Sequence, residues 1–384
     1  MELLLLGASG SIGQQTLDII KKYPNQFTLK AFSVGKRVEF IPLILSEFNT
    51  VTHICVQHEK DFKKYQKLYP MIIFHYCEQG LLEIIREANY DMAVNALVGF
   101  VGLLPSIEVL KLNKSLALAN KESLVVGGQI INKLLSEGHG ELYPIDSEHV
   151  AISKCLAVDN EDVKKIILTA SGGAFKHLNR EQLKDVTKED ALKHPTWNMG
   201  NKITIDSASM MNKCFEVIEA YYLFDFPYDK IDIILHDESY VHSIVEYNDG
   251  LYRMEISKPD MHNPIEYALF KKQLDFTTYI SYNLSHNSKY HFHTFDMERY
   301  PLVKWAKEVI AKQGNLGAIL NASNEEAVYA FLDDKIAFLD IDKLIEKAML
   351  NIAYIPNPTL DQIVDTDKKT RVYIKNIISK GVND

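Results

Sequence analysis

The sequence predicts an α/β protein with an N-terminal Rossmann-like domain, a central α+β domain and a C-terminal helical bundle. Three observations predict this fold: an apolar run that stops at a glycine-rich turn near the N-terminus, alternating apolar runs and amphipathic helices over residues 1–145, and a helical pattern from Pro301 onward. We place the domains at residues 1–145, 146–285 and 286–384. Several domains are expected, because one hydrophobic core rarely serves a chain of 384 residues.

Composition and charge exclude several classes of protein. The formal net charge of −9 argues against a general nucleic-acid binder. No stretch reaches the ~18 apolar residues that a membrane span needs. The opening residues 1–6 are acidic and too short for a signal peptide, so they indicate a first strand. We therefore expect a cytoplasmic protein that binds neither nucleic acid nor membranes.

The first strand and the turn after it predict a dinucleotide site. Leu3–Leu6 is a continuous apolar run, as expected for a strand buried on both faces of a parallel sheet. Gly7, Gly10 and Gly13 follow, and then an amphipathic helix. Such glycines permit a tight turn and let a pyrophosphate approach the helix N-terminus, whose dipole favours negative charge.

The end of the second predicted strand favours NADP over NAD. A NAD site normally has an acidic residue there, which binds the ribose 2′-hydroxyl. Here the strand at Phe27–Val34 is followed by Gly35, Lys36 and Arg37. Two cations suit a 2′-phosphate, although a solvated basic turn is the alternative.

A later strand, Leu116–Ala119, ends in Asn120, Lys121 and Glu122. Ligands of such sheets lie outside the carboxyl ends of the strands. Lys121 and Glu122 are therefore expected to face the nicotinamide end of the cofactor. A charged surface loop is the alternative.

Two carboxylates at the start of the central domain predict a metal site. Asp146 and Glu148 follow a short apolar run, and residues two apart on an extended backbone point to the same side. Carboxylate oxygens are the ligands that Mg²⁺ and Mn²⁺ prefer. A solvated turn that caps the next helix is the alternative.

Small and hydroxylated residues further along predict a phosphate site. Ser171 precedes two glycines in a turn that suits an anion. Ser207 is a candidate helix cap, and Asn212 and Lys213 lie one turn before Glu216. Ser171, Ser207, Asn212 and Lys213 would hold the phosphate, while Glu216 would join Asp146 and Glu148 around the cation. A surface ion pair between Lys213 and Glu216 is the alternative.

Residues 194–201 are predicted to form a lid loop over the ligand, because proline, glycine and Trp197 lie among polar residues. A tryptophan that is merely packed is the alternative.

The C-terminal part carries an apolar helical stripe from Ile341 to Ile352 and a candidate capping box of Ser323 and Glu326. Together these features predict metal-assisted reduction of a phosphorylated carbonyl compound.

At this point the chain resembles a known family, the 1-deoxy-D-xylulose 5-phosphate reductoisomerases. Seven motifs look like those of the family and follow its order. They are Gly7-Ala-Ser-Gly-Ser-Ile-Gly13, Ala119-Asn-Lys-Glu-Ser123, Pro144-Ile-Asp-Ser-Glu-His149, Ser171-Gly-Gly173, His194-Pro-Thr-Trp-Asn-Met-Gly200, Asp206-Ser-Ala-Ser-Met-Met-Asn-Lys213 and Asn321-Ala-Ser-Asn-Glu325.

The resemblance implies a homodimeric reductoisomerase of the non-mevalonate isoprenoid route. Its substrate would be a phosphorylated sugar, 1-deoxy-D-xylulose 5-phosphate, and its product 2-C-methyl-D-erythritol 4-phosphate. The cofactors would be NADPH and Mn²⁺, Mg²⁺ or Co²⁺. A carbon-skeleton rearrangement, by retro-aldol and aldol steps, would precede reduction of the aldehyde.

The resemblance also implies a role for each matching residue. The metal ligands would be Asp146, Glu148 and Glu216. The catalytic residues would be Lys121, Glu148, His149, Lys213 and Glu216. The substrate would contact Lys121, Ser147, Glu148, Ser171, His194, Trp197, Met199, Ser207, Asn212, Lys213, Glu216 and His242. NADPH would contact Gly7, Ser9, Gly10, Ser11, Ile12, Gly35, Lys36, Arg37, Asn120, Glu122 and Gly200.

The chain departs from the family pattern at four positions. Asp237 and Glu238 replace a Pro-Gln pair, His262 replaces an arginine, and Asn201 replaces a basic residue. The first three put dimer contacts in doubt, and Asn201 could weaken cofactor or lid affinity. Two alternatives stay open: a homoserine dehydrogenase-like NADP reductase without isomerisation, and a non-enzymatic NADP-binding sensor.

Overall fold

The computed structural model describes residues 1–157, 162–197, 199–273 and 289–382. The chain divides into two compact units. Unit 1 comprises Met1–Ser123, Ile130–Asp146 and Asp260–Thr278, and unit 2 comprises Leu124–Gln129, Ser147–Pro259 and Tyr279–Asp384. The predicted boundary at residues 285 and 286 lies outside the described residues, so the division into three domains stays a prediction.

Strands and helices alternate strictly through the first 146 residues. In chain order the elements are β1 (Glu2–Leu6), α1 (Ser11–Lys22), β2 (Thr28–Val34), α2 (Phe40–Glu47), β3 (His53–Val56), α3 (Glu59–Leu68), β4 (Ile73–Tyr76), α4 (Cys77–Glu87), β5 (Met92–Asn95), α5 (Leu103–Lys111), β6 (Ser115–Leu118), α6 (Lys121–Ser136) and β7 (Glu141–Pro144). This is the alternation that the sequence predicts for a parallel sheet with helical crossovers.

These strands form the seven-stranded parallel sheet of unit 1, in the order β4-β3-β2-β1-β5-β6-β7. The order reverses at β1, which pairs with β2 on one side and β5 on the other. Leu3–Leu6 of β1 is fully buried, as its apolar run predicts. The parallel strand order and its reversal at β1 confirm the predicted Rossmann-like fold. Ligands of such sheets bind in the crevice beside β1 and β5.

The glycine turn after β1 is fixed by close backbone contacts. Gly7 has a φ of +89°, and a Cβ there would lie 2.7 Å from the Ala96 carbonyl oxygen. A Cβ on Gly13 would lie 2.3 Å from the Gly7 carbonyl oxygen. Only glycine therefore fits at both positions without movement of the backbone.

The second half of the chain begins with a helix that directly follows Asp146. In chain order the elements are α7 (Ser147–Leu156), β8 (Val163–Ala170), α8 (Lys188–Ala191), α9 (Asn201–Ser209), α10 (Met211–Phe224), β9 (Ile231–His236), β10 (Val241–Tyr247), β11 (Tyr252–Ile256), α11 (His262–Leu269), β12 (Phe292–Thr294), α12 (Lys304–Lys312), α13 (Leu316–Leu332), α14 (Asp340–Asn351) and α15 (Leu360–Lys380). Helix α11 belongs to unit 1, where it packs on α1 and Glu266 pairs with Lys22 at 2.7 Å.

Unit 2 combines a mixed sheet with a helical layer. The sheet order is β11-β10-β8-β9-β12, with β8 and β9 parallel and the other pairs antiparallel. Helix α13 is buried along most of its length and packs against α9, α12, α14 and α15. The apolar stripe of α14 is buried as predicted, from Ile341 to Met349. No described helix has the length and apolar character to cross a membrane.

Three local predictions are wrong. Asp146 and Glu148 do not share an extended strand, because α7 begins at Ser147 and puts Glu148 in its first turn. Ser207 does not cap a helix, because α9 already begins at Asn201 and the break before α10 falls at Met210. Ser323 lies inside α13 and donates to the Ile319 carbonyl at 2.7 Å, because the buried apolar residues before it continue the helix.

We expect Gly13→Ala to lower the free energy of unfolding by about 1–3 kcal/mol, because its Cβ would collide with backbone atoms of the turn. Gly35→Ala is the matched control, since the nearest atom to its Cβ is a side-chain oxygen of Gln57 at 4.0 Å. Chemical denaturation of both variants measures the effect. Equal stability of the two variants would contradict this account of the turn.

Candidate active site

The N-terminus of α1 offers free backbone donors behind the glycine turn. The residue before the helix, Gly10, donates its N–H to the Gly7 carbonyl at 2.9 Å, and no described side chain caps the helix. Ser33 fixes the start of the turn, because its hydroxyl accepts from the Gly7 N–H at 2.9 Å. The first N–H groups of α1, at Ser11 and Ile12, are thus available to an anion such as a pyrophosphate.

The structure places the basic residues after β2 at the surface. Gly35, Lys36 and Arg37 are exposed, and the Arg37 guanidinium lies over the Phe40 ring at 4.9 Å. Exposed cations at this point suit a phosphate on the cofactor ribose. Their predicted contact with NADPH stays a prediction.

Asn120 acts within the protein, at the start of α6. Its side-chain oxygen accepts from the Ser123 N–H at 3.0 Å. Its amide donates to the carbonyls of Leu97 and Gly99 and to the Glu122 carboxylate. Sequence reasoning named Asn120 and Glu122 as cofactor contacts, but their side chains bind each other and the neighbouring loop.

In unit 1, Lys121 pairs with Asp146. The Lys121 ammonium lies 2.9 Å from a carboxylate oxygen of Asp146. The Lys121 side chain is buried, and the Asp146 side chain is largely buried. Lys121 begins α6 and Asp146 is the second residue after β7, so the ends of two neighbouring strands bring the pair together. The sequence predicts both residues as site residues without predicting that they meet.

In unit 2, one lysine joins two of the predicted site carboxylates. The Lys213 ammonium lies 2.8 Å from Glu148 and also binds Glu216, which is 0% exposed. It donates further to the Thr169 carbonyl at 2.5 Å. Asn212 donates to the other oxygen of Glu216 at 2.5 Å. The predicted alternative of a surface pair is wrong, because Lys213 and Glu216 are both buried.

The charge on Lys213 is fixed by its neighbours. Burial alone would lower the pKa of Lys213, but the carboxylates of Glu148 and Glu216 outweigh it and raise that pKa above its ordinary value. The ammonium therefore stays protonated and lies between the two carboxylates. The carboxylates of Glu148 and Glu216 together carry more formal negative charge than the one ammonium of Lys213. The cluster of these three side chains is therefore suited to bind a further cation.

His149 lies against the backbone of α10. Its ring is fully buried, and its Nε2 is 3.0 Å from the Glu216 carbonyl. Its Nδ1 lies 3.9 Å from a carboxylate oxygen of Glu219, one turn beyond Glu216. Sequence reasoning missed Glu219. The signal was present, since two glutamates three apart on one helix lie on the same face.

The predicted phosphate residues divide into two groups. His194 Nε2 is 3.1 Å from the hydroxyls of both Ser171 and Ser207, which brings these three side chains together. Asn212 and Lys213 instead bind Glu216, as described above. A Cβ on Gly173 would lie 2.5 Å from the Ser207 carbonyl, so a small-residue turn is required beside the serines.

The hydrogen bonds of His194 fix its tautomer. Its Nδ1 accepts from the backbone N–H groups of Thr196 and Trp197, at 3.2 and 2.9 Å. The proton therefore sits on Nε2 and faces the two serines. Burial, with a smaller contribution from the Lys176 charge, lowers the pKa of His194 to about 4. At neutral pH the ring is an uncharged donor.

The predicted lid contains half-buried Trp197 and Met199. The Trp197 ring lies 6.2 Å from the ring of His242, and Gly200 precedes α9. Residue 198 lies outside the described residues. Closure of residues 194–201 over a ligand stays a prediction.

A buried ion pair that sequence reasoning missed supports the Ser207 segment. Asp206 accepts from Lys202 at 2.8 Å and from the Asn324 amide at 2.9 Å. All three side chains are buried. The hydrogen bond from Asn324 to Asp206 links α13 to α9, which explains why the 321–325 motif accompanies the site residues.

The departures from the family pattern have local partners. Asp237 pairs with Lys176 and His293, both at 3.1 Å. Glu238 lies 2.6 Å from His291. In unit 1, His262 Nδ1 lies 2.6 Å from Asp260. Asn201 begins α9 and is exposed.

We expect wild-type protein to lose more stability than His194→Gln as the pH falls from 6.5 to 4. In the unfolded chain this histidine takes up a proton near pH 6.5, whereas in the folded protein it does so only near pH 4. Its contribution is thus complete above pH 6.5 and declines as the pH falls. Denaturation of both proteins across this range measures the difference, and parallel pH profiles would contradict the assigned environment of His194.

Three family models match the chain: 1-deoxy-D-xylulose 5-phosphate reductoisomerase over residues 3–128, 1-deoxy-D-xylulose 5-phosphate reductoisomerase C-terminal domain over 142–224, and DXP reductoisomerase C-terminal domain over 256–373. The 1-deoxy-D-xylulose 5-phosphate reductoisomerase of Bacillus cereus strain AH187 is 43% identical over 372 residues, which cover 96% of this chain and 98% of the relative. That of Listeria innocua is 42% identical, covering 98% of this chain and 100% of the relative.

Solved structures of the same family also resemble this chain. A DOX-P reductoisomerase in complex with NADPH, fosmidomycin and magnesium has a TM-score of 0.92 at 32% identity, covering 99% of this chain and 98% of that one. The Zymomonas mobilis enzyme in complex with NADPH has a TM-score of 0.89 at 34% identity, covering 98% of each chain. The homoserine dehydrogenase-like alternative is not favoured, because these matches span nearly the whole chain. The chain belongs to the 1-deoxy-D-xylulose 5-phosphate reductoisomerase family.

Proposed function

We propose that this protein converts 1-deoxy-D-xylulose 5-phosphate to 2-C-methyl-D-erythritol 4-phosphate with NADPH and a divalent metal, a step in the non-mevalonate route to isoprenoid precursors. The observation that carries the proposal is the convergence of Glu148 and the buried Glu216 on the single ammonium of Lys213. Membership of the family supports it. Solved relatives in complex with NADPH, fosmidomycin and magnesium support the cofactors.

Asp146, Glu148 and Glu216 are the proposed metal ligands. Their donors are all carboxylate oxygens, which fit a hard ion such as Mg²⁺ or Mn²⁺. Asp146 lies two residues before Glu148 in the chain and adds a third negative charge. When bound, the ion acts as a Lewis acid toward substrate oxygens.

The residues around the carboxylates hold them in place. Lys213 binds Glu148 and Glu216 at once, and the Ser147 hydroxyl donates to the other oxygen of Glu148 at 2.6 Å. His149 fixes the backbone of Glu216. These contacts limit the movement of both carboxylates, so little ordering is left to occur when the metal binds.

Ser171, Ser207, Asn212 and Lys213 are proposed to bind the substrate phosphate. The Nε2–H of the neutral His194 imidazole faces the two serine hydroxyls and adds an uncharged donor beside them. Gly172 and Gly173, both with positive φ, leave the backbone N–H groups of this turn close by. The rest of the substrate is proposed to contact Lys121, Ser147, His194, Trp197, Met199 and His242.

NADPH is proposed to bind along the carboxyl ends of the unit 1 strands, where its chemistry is hydride donation. The pyrophosphate would lie on the N-terminus of α1, and the 2′-phosphate beside Lys36 and Arg37. The proposed contacts are Gly7, Ser9, Gly10, Ser11, Ile12, Gly35, Lys36, Arg37, Asn120, Glu122 and Gly200. Asn120 would act through its backbone or by holding the loop, since its side chain is engaged in the protein.

A homodimer that works in the bacterial cytoplasm completes the proposal. Its support is the family resemblance and the bacterial source of the relatives. The paired surroundings of Asp237, Glu238 and His262 show that these departures leave no described charge unmatched at those positions.

The test is NADPH oxidation by the full chain with 1-deoxy-D-xylulose 5-phosphate, with and without Mg²⁺ or Mn²⁺. We expect turnover that needs both substrate and metal, and a product identified by mass and NMR as methylerythritol phosphate. A control with homoserine and NADP⁺ should show no reaction. Turnover that survives removal of the metal would overturn the proposal, and so would a lack of turnover with this substrate.

A further inference from the structure

A second group of metal-ligating side chains lies in unit 1, at the edge of its sheet. His53 begins β3, His75 lies in the edge strand β4, and Glu87 ends α4. One ligand atom from each lies within 4.8 Å of the others. None of these residues has a role in the proposed reaction.

The buried ring of His75 is the observation that points to a ligand. The residue is only 6% exposed, and its Nδ1 lies 3.3 Å from a carboxylate oxygen of Glu83. Among the described residues, none forms a hydrogen bond with its Nε2, and a carboxylate oxygen of Glu87 lies 3.8 Å from this nitrogen. A buried ring nitrogen without a hydrogen bond costs free energy.

Glu83 sets the tautomer of His75. A proton on Nδ1 is donated to this carboxylate, which leaves the lone pair on Nε2 and turns it toward Glu87. Metal-binding histidines are commonly oriented by such a carboxylate on the other ring nitrogen. Glu83 and Glu87 are four residues apart on α4, so one helix face supplies both the orienting group and a ligand.

His53 completes the set. Its ring stacks on that of His75, with centroids 5.8 Å apart and planes 9° from parallel. Its Nδ1 is engaged by the Thr52 hydroxyl at 2.8 Å. Burial, and then the neighbouring His75, lower the pKa of His53.

We propose that His53, His75 and Glu87 bind a Zn²⁺ ion, at a site separate from the one that serves the reaction. Two imidazoles and one carboxylate are a typical zinc ligand set, whereas the carboxylates proposed for catalysis suit harder ions. The ion joins β3, β4 and α4 at the sheet edge. The Glu87 side chain is 53% exposed and is free to move the short distance that zinc bond lengths require.

The test is a Zn²⁺ titration of the full chain stripped of metal, in competition with a chromophoric chelator. Glu216→Gln removes a proposed ligand of the catalytic ion, so that variant isolates the second site. In this background we expect one Zn²⁺ per chain, and a fall in affinity of at least about 100-fold on adding His53→Gln or Glu87→Gln. His58→Gln, an exposed histidine of the same unit, is the matched control and should bind as the background does.

A second readout separates this site from the reaction. Zn²⁺ should raise the Tm of Glu216→Gln but not that of the double variants, because an ion that binds only the folded state stabilises it. His53→Gln alone should keep the Mg²⁺-dependent turnover of the wild type. Unchanged zinc affinity in both double variants, or no zinc bound by Glu216→Gln, would overturn the proposal.

Discussion

The candidate active site depends on one ammonium group, that of Lys213, placed between the buried carboxylate of Glu216 and the partly exposed carboxylate of Glu148. Glu216 is fully buried, and burial of a charged carboxylate is costly unless it is paired and hydrogen-bonded. Lys213 supplies the pairing, and the amide of Asn212 binds the remaining oxygen. The left-handed residue Met210 ends α9 and starts α10, which sets the direction of the helix that carries all three. Loss of Lys213 would take away the ammonium that Glu148 and Glu216 share, so the geometry of the site and the stability of unit 2 depend on the same contact.

The sequence predicted unit 1 more fully than unit 2, for a physical reason. The strand run at Leu3–Leu6 and the glycines at 7 and 13 act within a few residues of one another, so the local pattern is sufficient. The site of unit 2 is assembled from α7, α9 and α10, whose contacts join residues far apart in the chain. Local cues failed there: a serine resembled a helix cap, and Glu148 resembled a strand residue, because no local pattern revealed where α7 and α9 begin.

Charge is distributed differently over the two groups of polar residues in unit 2. The Glu148 and Glu216 group carries net negative charge and suits a cation. The Ser171, Ser207 and His194 group is neutral, because burial keeps the imidazole unprotonated. Sequence reasoning joined Asn212 and Lys213 to the serines, since both have donors that suit a phosphate. In the structure both side chains bind Glu216, and their contact with the phosphate stays a prediction.

The most direct measurement of the central claim is Mn²⁺ binding and turnover by Glu216→Gln. Glu308→Gln is the matched control, a partly exposed glutamate of α12 paired with Lys312. The account predicts that Glu216→Gln weakens Mn²⁺ binding and lowers turnover by about 10²–10³-fold while NADPH binding stays near normal. The control should match the wild type in all three. Wild-type Mn²⁺ affinity and turnover in Glu216→Gln would contradict the assignment of the Lys213-bridged carboxylates as the metal site.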